Sequence, residues 1–311
     1  MSAAVGLLVV GDVVTDVVAR HTGPLAPGTD TAARITTLPG GAGANAASWA
    51  ARCGAPAVRM LGRAGRDSAG WHATELRRHG VEPRLSVDPG LPTGTVIALV
   101  DGADGAERTF LTDSGASVAL TPADWDEDLL AGVAHVHLSG YLCFTPGGRE
   151  LTALVAASAH ARGATLSVDP ASTGFIERLG VDVFRSAIRP ADLILPNAAE
   201  ARLLTGAADP ARAAGELSAV HGTAVVTLGP GGALVARDGG PAARVPAVPA
   251  DPVDTTGAGD AFTGAYLAAW LGGAEPVAAA RAGCAAAAVA VGTVGGRPPP
   301  DRLRPPGQDQ P

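Results

Sequence analysis

The stretch Asp254-Thr255-Thr256-Gly257-Ala258-Gly259-Asp260 combines residue types and a spacing suited to group transfer. Gly257 and Gly259 let the backbone approach a ligand closely, and the run from Ala261 to Leu267 is compatible with a helix. Successive N–H groups at a helix start form a concave anion site. Asp260 would fall in the first helical turn, where the helix dipole favours a carboxylate. A carboxylate is an odd neighbour for a phosphate. The pairing makes sense if the amides of Gly257, Ala258 and Gly259 neutralise charge that develops during transfer, while Asp260 takes a proton from an acceptor hydroxyl. The plainer reading is a capped helix after a glycine turn, with Asp254 and Asp260 as caps, and spacing alone leaves the two level.

Other residues with chemical potential sit at element ends. Asp12 and Asp16 follow the apolar run Leu7-Leu8-Val9-Val10, and ligands of open parallel sheets gather beyond the carboxyl ends of strands. Either could instead cap a turn. The string from Gly40 to Ala47, which includes Gly41 and Asn45, reads as a glycine turn opening a helix whose start and Asn45 amide could bind hydroxyls or anions. Its Gly41-x-Gly43-x-x-Ala46 spacing also matches the dinucleotide fingerprint, but it lacks a clear acidic partner on the next strand. Asn197 and Glu200 stand three apart ahead of an apolar run, which is a capping-box pair. Asp169 ends another apolar run and could lie near a substrate or only form a turn, with the turn slightly favoured. His135 and His137 share one face of a strand, yet no third ligand follows at metal-binding spacing, so sheet packing is expected.

Short apolar runs must position these groups. Strands are expected at Leu7–Val10, Val58–Gly62, Val133–Leu138, Thr165–Val168, Asp192–Pro196 and Ala224–Leu228. Helices are expected from Gly40 to about Cys53, from Asp67 to His79, from Thr121-Pro122 onward, and from Arg149 to Arg162. Others start at Asn197, run through Trp270, and start at Glu275-Pro276. The β-leaning segment at 33–38 and the pair at 95–100 and 108–111, joined around Asp104-Gly105, do not alternate with helices. They predict a separate small sheet that serves as a lid. Asp113 to Ala116 reads as a turn, and residues 297–311 as a frayed, Pro-rich tail.

Composition narrows the function classes. The chain has 311 residues, 47% of them hydrophobic, with a formal charge of −7 and no lysine. That absence excludes a P-loop lysine, a protein-kinase strand lysine and a Schiff base, so phosphate chemistry would rest on backbone amides, arginine and metal. The acidic balance argues against a nucleic-acid partner, and no apolar run is long enough to span a membrane. Cys53, Cys143 and Cys284 lie far apart, which fits a reduced, cytoplasmic protein and offers no zinc site. The apolar N-terminus lacks a basic region and is expected to be a first strand rather than a signal peptide.

The order of these motifs resembles the ribokinase-like, phosphofructokinase-B-type family of sugar and nucleoside kinases, over roughly residues 5–300. The resemblance implies a three-layer α/β/α ribokinase-like fold, with a central mostly parallel sheet and a small β-sheet lid formed by about 12–40 and 91–113. One kinase domain would cover 1–300, with a tail at 301–311. It implies that Asp260 is the catalytic base and that Gly257, Ala258 and Gly259 form the anion hole. Asp16, Gly41 and Asn45 would hold the acceptor, with Asp12 and Tyr141 nearby. Asn197, Glu200, Thr227, Gly229 and Gly232 would meet ATP and Mg2+, Glu200 acting on the metal through water. Cys284 would line the adenine pocket. Asp254 and residues 292–296 would form a monovalent-cation site, which allows K+. The resemblance also leaves room for a homodimer through the lid.

Ala42 stands where many ribose-type members carry lysine, and Tyr141 and Cys143 stand near where they carry a glutamate. Both departures point away from ribose. The expected activity is ATP-dependent phosphorylation of a hydroxymethyl group on a small sugar. A nucleoside kinase of the same fold is the alternative. From other classes come an NAD-dependent oxidoreductase and a non-catalytic sugar sensor.

Overall fold

The computed structural model describes residues 5–21, 23–101 and 108–299. Its first strand, β1 (Gly6–Val10), is fully buried, as a central parallel strand covered on both faces must be. Leu8 and Val10 join one apolar cluster and Leu7 and Val9 another, so the two-residue period of the strand feeds two cores at once. The chain continues through β2 (Val14–His21), β3 (Ala33–Gly40), α1 (Ala42–Arg52), β4 (Val58–Gly65), α2 (Ala69–Arg78) and β5 (Val81–Asp88). Then come β6 (Thr93–Asp101), β7 (Arg108–Gly115), β8 (Val133–Ser139), α3 (Pro146–Ala161), β9 (Thr165–Asp169), α4 (Thr173–Leu179) and α5 (Val181–Ile188). The remainder is β10 (Leu193–Ile194), α6 (Ala198–Thr205), α7 (Pro210–His221), β11 (Thr223–Thr227), β12 (Ala233–Arg237), β13 (Ala243–Val245), α8 (Ala258–Leu271) and α9 (Pro276–Ala290).

Nine of the described strands form one sheet in the order β13-β12-β11-β10-β9-β8-β1-β4-β5. Pairing is parallel from β5 across to β11, and antiparallel between β11, β12 and β13. One core cluster joins residues of α3, α4, α5, α6 and α7 to the sheet; the other joins α1, α2, α8 and α9 to it. The small sheet, β3-β2-β6-β7, stands apart from the large one. Its strands β2 and β6 run parallel, while β3 and β7 flank them antiparallel.

Several local expectations need correction. No α-helix follows Thr121-Pro122; two 3-10 turns, Pro122–Asp124 and Glu127–Leu130, run there instead. The Asp124 carboxylate is drawn back onto Thr121 N and onto Arg63, which closes the turn at three residues. Strand β7 continues through Asp113 and Ser114 as far as Gly115, whose φ of 48° ends it. The helix expected from Arg149 starts at Pro146, capped by the Thr145 hydroxyl. His135 and His137 are buried and bonded to Thr165 and Ser167 of the neighbouring strand, as sheet-packed histidines should be. The turn around Asp104-Gly105 and residues 300–311 lie outside the described residues, whereas Arg297 is part of the packed interior.

Candidate active site

The carboxyl ends of β1 and β9 approach the start of α8, where Asp12 and Asp169 act on Asp260 and the Thr263 hydroxyl donates to Asp169. That helix starts from Gly257 at φ 74°, a left-handed value that glycine adopts without strain. A Cβ on Gly257 would lie 2.4 Å from the Gly296 Cα, so the turn is also sterically committed to glycine. Ala258 N donates to Thr255 O over a long 3.3 Å, while a Cβ on Gly259 would meet nothing within 4 Å. First-turn amides have no acceptor inside their own helix. Gly259 itself is exposed, so the space beside this turn is open.

Asp260 is the third residue of this helix, and its Oδ2 accepts a 2.8 Å hydrogen bond from Asn45 Nδ2. Asp260 is half-buried as a residue, and protein surrounds its carboxyl closely. Burial pushes its pKa up to about 8; the Asn45 hydrogen bond opposes this, and Asp169, Asp12 and Asp16 reinforce it. A carboxylate poised there is tuned for proton abstraction near neutral pH. Asn45 is buried, and its Oδ1 has no partner, so one face of this amide holds Asp260 and the other is left for a donor.

The second glycine turn is built differently. Gly41 has φ 98°, and a Cβ there would strike Asp12 O at 2.4 Å. The Asp12 carboxylate accepts from Ala42 N at 2.7 Å, Gly43 N at 3.2 Å and Ser139 Oγ at 2.8 Å. Asp12 thus occupies the place at the start of α1 where a dinucleotide pyrophosphate would sit, and the fingerprint reading of Gly41 to Ala46 fails on charge. Asp16, on β2, rests its carboxyl against Gly40, where a Cβ would come within 2.3 Å of Oδ2. Burial raises its pKa to about 7, with Arg297 opposing and Asp12 and Asp254 reinforcing. Tyr141 lies in the turn after β8, edge-on to Phe144 and Phe175. Burial holds its hydroxyl protonated, reinforced by Asp12, Asp260, Asp169 and Glu200, which places the ring at the carboxylate cluster.

On the opposite side, Asn197 and Glu200 form the capping box their spacing predicts: Asn197 Oδ1 accepts from Glu200 N, and Glu200 Oε2 accepts from Asn197 N. Burial raises the Glu200 pKa, and Asp169 adds to this. Asn197 pairs with Thr227 across an isolated parallel bridge, which puts both at the strand ends. Gly229 (φ 55°) and Gly232 (φ 87°) form the turn that follows, and Gly232 presses on Val245 O. Asp254 is buried; its Oδ1 accepts from Thr256 N and its Oδ2 from Gly295 N, tying the turn before α8 to the 292–296 loop. Cys284 is buried within the apolar cluster that α8 and α9 share with the sheet.

Two contributors, Ser139 and Arg297, escaped the sequence reading, and a third was weighed there and set slightly towards a turn. Asp169 does more than turn the chain: Oδ1 accepts from Ala171 N and Oδ2 from the Thr263 hydroxyl of α8, and burial raises its pKa. Ala171 beside it holds φ 74°, strain of the kind concentrated at functional sites. A carboxylate ending a parallel strand was the available signal. Ser139 orients Asp12, and Arg297 is buried against α1, a position that nothing in its Pro-rich surroundings signals.

Comparison with known proteins defines the class. An adenosine kinase from Sinorhizobium meliloti superposes with a TM-score of 0.85 at 26% identity, covering 95% of this chain and 96% of that one. A ribokinase-type protein from E. coli, solved with ATP and Mg2+, superposes with a TM-score of 0.83 at 24% identity over 93% and 94% of the two chains. The fold is therefore that of the ribokinase-like sugar and nucleoside kinases, with the large mostly parallel sheet and the smaller sheet expected. The profile described as pfkB family carbohydrate kinase matches residues 6–302. A 1-phosphofructokinase from Rhodobacter capsulatus is 33% identical over 281 residues, 85% of this chain and 83% of the relative. A 2-dehydro-3-deoxygalactonokinase from Haloferax volcanii is 30% identical over 279 residues, 86% of each. The chain belongs to the pfkB family of carbohydrate kinases, phosphotransferases with an alcohol group as acceptor.

Proposed function

We propose that this protein transfers the γ-phosphoryl group of ATP to a hydroxymethyl group of a small sugar or sugar-like acceptor. The observation that carries this reading is the Asn45–Asp260 hydrogen bond, which joins the acceptor-side glycine turn to the carboxylate heading α8. Asp260 takes the hydroxyl proton while the amides of Gly257, Ala258 and Gly259 hold the negative charge of the transferring group. Asp16, Gly41 and the free Oδ1 of Asn45 orient the acceptor. Asp12 acts through the start of α1, and Tyr141 closes the cleft from the side of β8. Asn197, Thr227, Gly229 and Gly232 meet the triphosphate from the strand ends, and Cys284 lies towards the adenine.

Among the described residues no group of three or more histidines, cysteines or carboxylates is arranged to hold a metal ion. Mg2+ in nucleotide sites is held mainly by phosphate and water with one or two carboxylates, and a buried Glu200 close to Asp169 fits that requirement. When bound, the ion supplies charge neutralisation between the phosphates. The Gly295–Asp254 hydrogen bond brings together the two parts assigned to a monovalent cation, and K+ would be held there. The small sheet acts as a lid that excludes water from the cleft, and it offers the face for a homodimer.

A nucleoside acceptor is the second reading, favoured by the ring cluster Tyr141, Phe144 and Phe175 at the cleft, which offers a surface for a base. Coupled ADP-release assays over sugars, sugar acids, sugar phosphates and nucleosides, with and without potassium, test both. ADP release with none of them, together with a thermal shift on adding a sugar, would replace the kinase by a silent sensor.

A further inference from the structure

Arg297 is buried, and it directly follows Gly295 and Gly296 in the chain. Its Nη1 donates to Ala44 O at 2.6 Å and to Ser48 Oγ, and its Nη2 donates to Gly40 O at 3.3 Å, while Nε has no partner. The preceding residue is as constrained. Gly296 O accepts from Trp49 Nε1 at 3.0 Å, a Cβ on Gly296 would meet Asn45 Nδ2 at 2.2 Å, and Gly257 packs against the Gly296 Cα. Two consecutive residues thus touch the peptide on which Asp16 rests, the first two turns of α1 with Asn45, and the turn that starts α8.

We infer that Arg297 is a positioning residue for the acceptor side of the reaction, and that it clamps Gly40, α1 and, through Gly296, the start of α8 into one unit. This rests on the kinase reading above for its catalytic consequence, but the clamp itself does not. Geometry supplies one half of its action: three acceptors on β3 and α1 are satisfied by a single planar fork, which an ammonium group cannot reproduce. Charge supplies the other half. Asp16, Asp260, Asp12 and Glu75 all face the guanidinium, and His72 and His79 of α2 are held neutral, first by burial and then by its charge. Asp254 and Asp12 oppose the ionisation of Asp16, and Arg297 favours it. An ionised Asp16 is the stronger acceptor for a hydrogen bond from an acceptor hydroxyl.

The test compares full-length wild type with Arg297→Met, Arg297→Lys and Ser48→Ala. Amide hydrogen exchange in the absence of any substrate is expected to accelerate at least 10-fold in Arg297→Met across both 42–49 and 257–261, with the strands of the large sheet unchanged. With the acceptor from the ADP-release panel, its KM should rise at least 10-fold while the KM for ATP stays within twofold. The acid limb of kcat/KM for the acceptor should move to higher pH. Arg297→Lys should keep that limb near its wild-type position yet still raise KM, and Ser48→Ala should show a smaller change in the same direction. Should Arg297→Met fail to fold, these two milder variants decide. Faster exchange confined to 295–299, or an unchanged acceptor KM, overturns the inference. A wild-type protein that uses no acceptor sinks the kinase reading instead, and the exchange pattern still decides the clamp.

Discussion

Replacing Asn45 by leucine removes the hydrogen bond to Asp260 while nearly conserving side-chain volume. A hydrogen bond to a charged group contributes about 1.5–3 kcal/mol. At 1.36 kcal/mol per unit, its loss raises the pKa of the carboxyl by about one to two units. Asp260 already stands at about 8 because of burial and neighbouring carboxylates. At pH 7 roughly one molecule in ten carries the ionised base, and in Asn45→Leu that falls to about one in a hundred to one in a thousand. The expected result is a kcat at pH 7 lowered about 10- to 100-fold, recovering as the pH is raised towards 10, when both proteins hold an ionised Asp260. The acceptor KM should rise as well, because Oδ1 goes with the amide. Profiles of kcat against pH from coupled ADP release, between pH 6 and 10, read the two effects separately. An acid limb that stays in place refutes the reasoning: either Asp260 is not the base, or Asn45 serves the acceptor alone.

Three further outcomes follow from the same geometry. Asp260→Asn should lower kcat by about 10²-fold or more, in the range of general-base loss, while ATP still binds; near-normal turnover would remove Asp260 from the mechanism. The same variant should melt at a higher temperature than wild type at pH 8. In folded protein the pKa of Asp260 lies above its ordinary 3.8, so the native state binds more protons than the unfolded state between about pH 4 and 8, and stability falls as pH rises through that window. Asp16, raised to about 7, acts in the same sense, and melting curves from pH 5 to 8 that rise with pH would contradict both. Gly257→Ala should destabilise by about 1–3 kcal/mol through its left-handed backbone and its contact with Gly296, whereas Gly259→Ala should leave stability intact and impair turnover. Equal melting of these two variants would contradict that assignment.

The layered fold was legible because each central strand is a short continuous apolar run and each following helix opens on a turn residue. Strand β2 was missed because Asp16, Arg20 and His21 interrupt its apolar character; it lies in the small sheet, where the side chains are only partly covered. Helices α4 and α5 are short and α7 is alanine-rich, and their signals were weaker than those of the strands around them. In the cleft, the carboxylates at motif positions could be named one by one, but their mutual effect could not. Asp16, Asp169, Glu200 and Asp260 all have raised pKa values because the fold gathers them at one depth, which is a property of topology. Arg297 was hidden for the opposite reason: a lone arginine between glycines and prolines carries no pattern.

The two glycine turns explain why function lies in the site and not in the motif. Gly41-Ala42-Gly43-Ala44-Asn45 and Gly257-Ala258-Gly259-Asp260 are nearly the same string, each opening a long helix from a left-handed glycine. A helix N-terminus attracts an anion in either case. At α1 that anion is part of the protein, because Asp12 takes the amides of Ala42 and Gly43, and the proposed reading gives this turn the uncharged acceptor instead. At α8 the capping glycine has no side-chain hydrogen bond and Gly259 is exposed, which is why the proposed reading assigns the transferring charge to this turn. The hydrogen bond from Asn45 to Asp260 then links the two turns. On the kinase reading proposed above, acceptor and phosphate would meet at the Asp260 carboxylate, one from the side of each glycine turn.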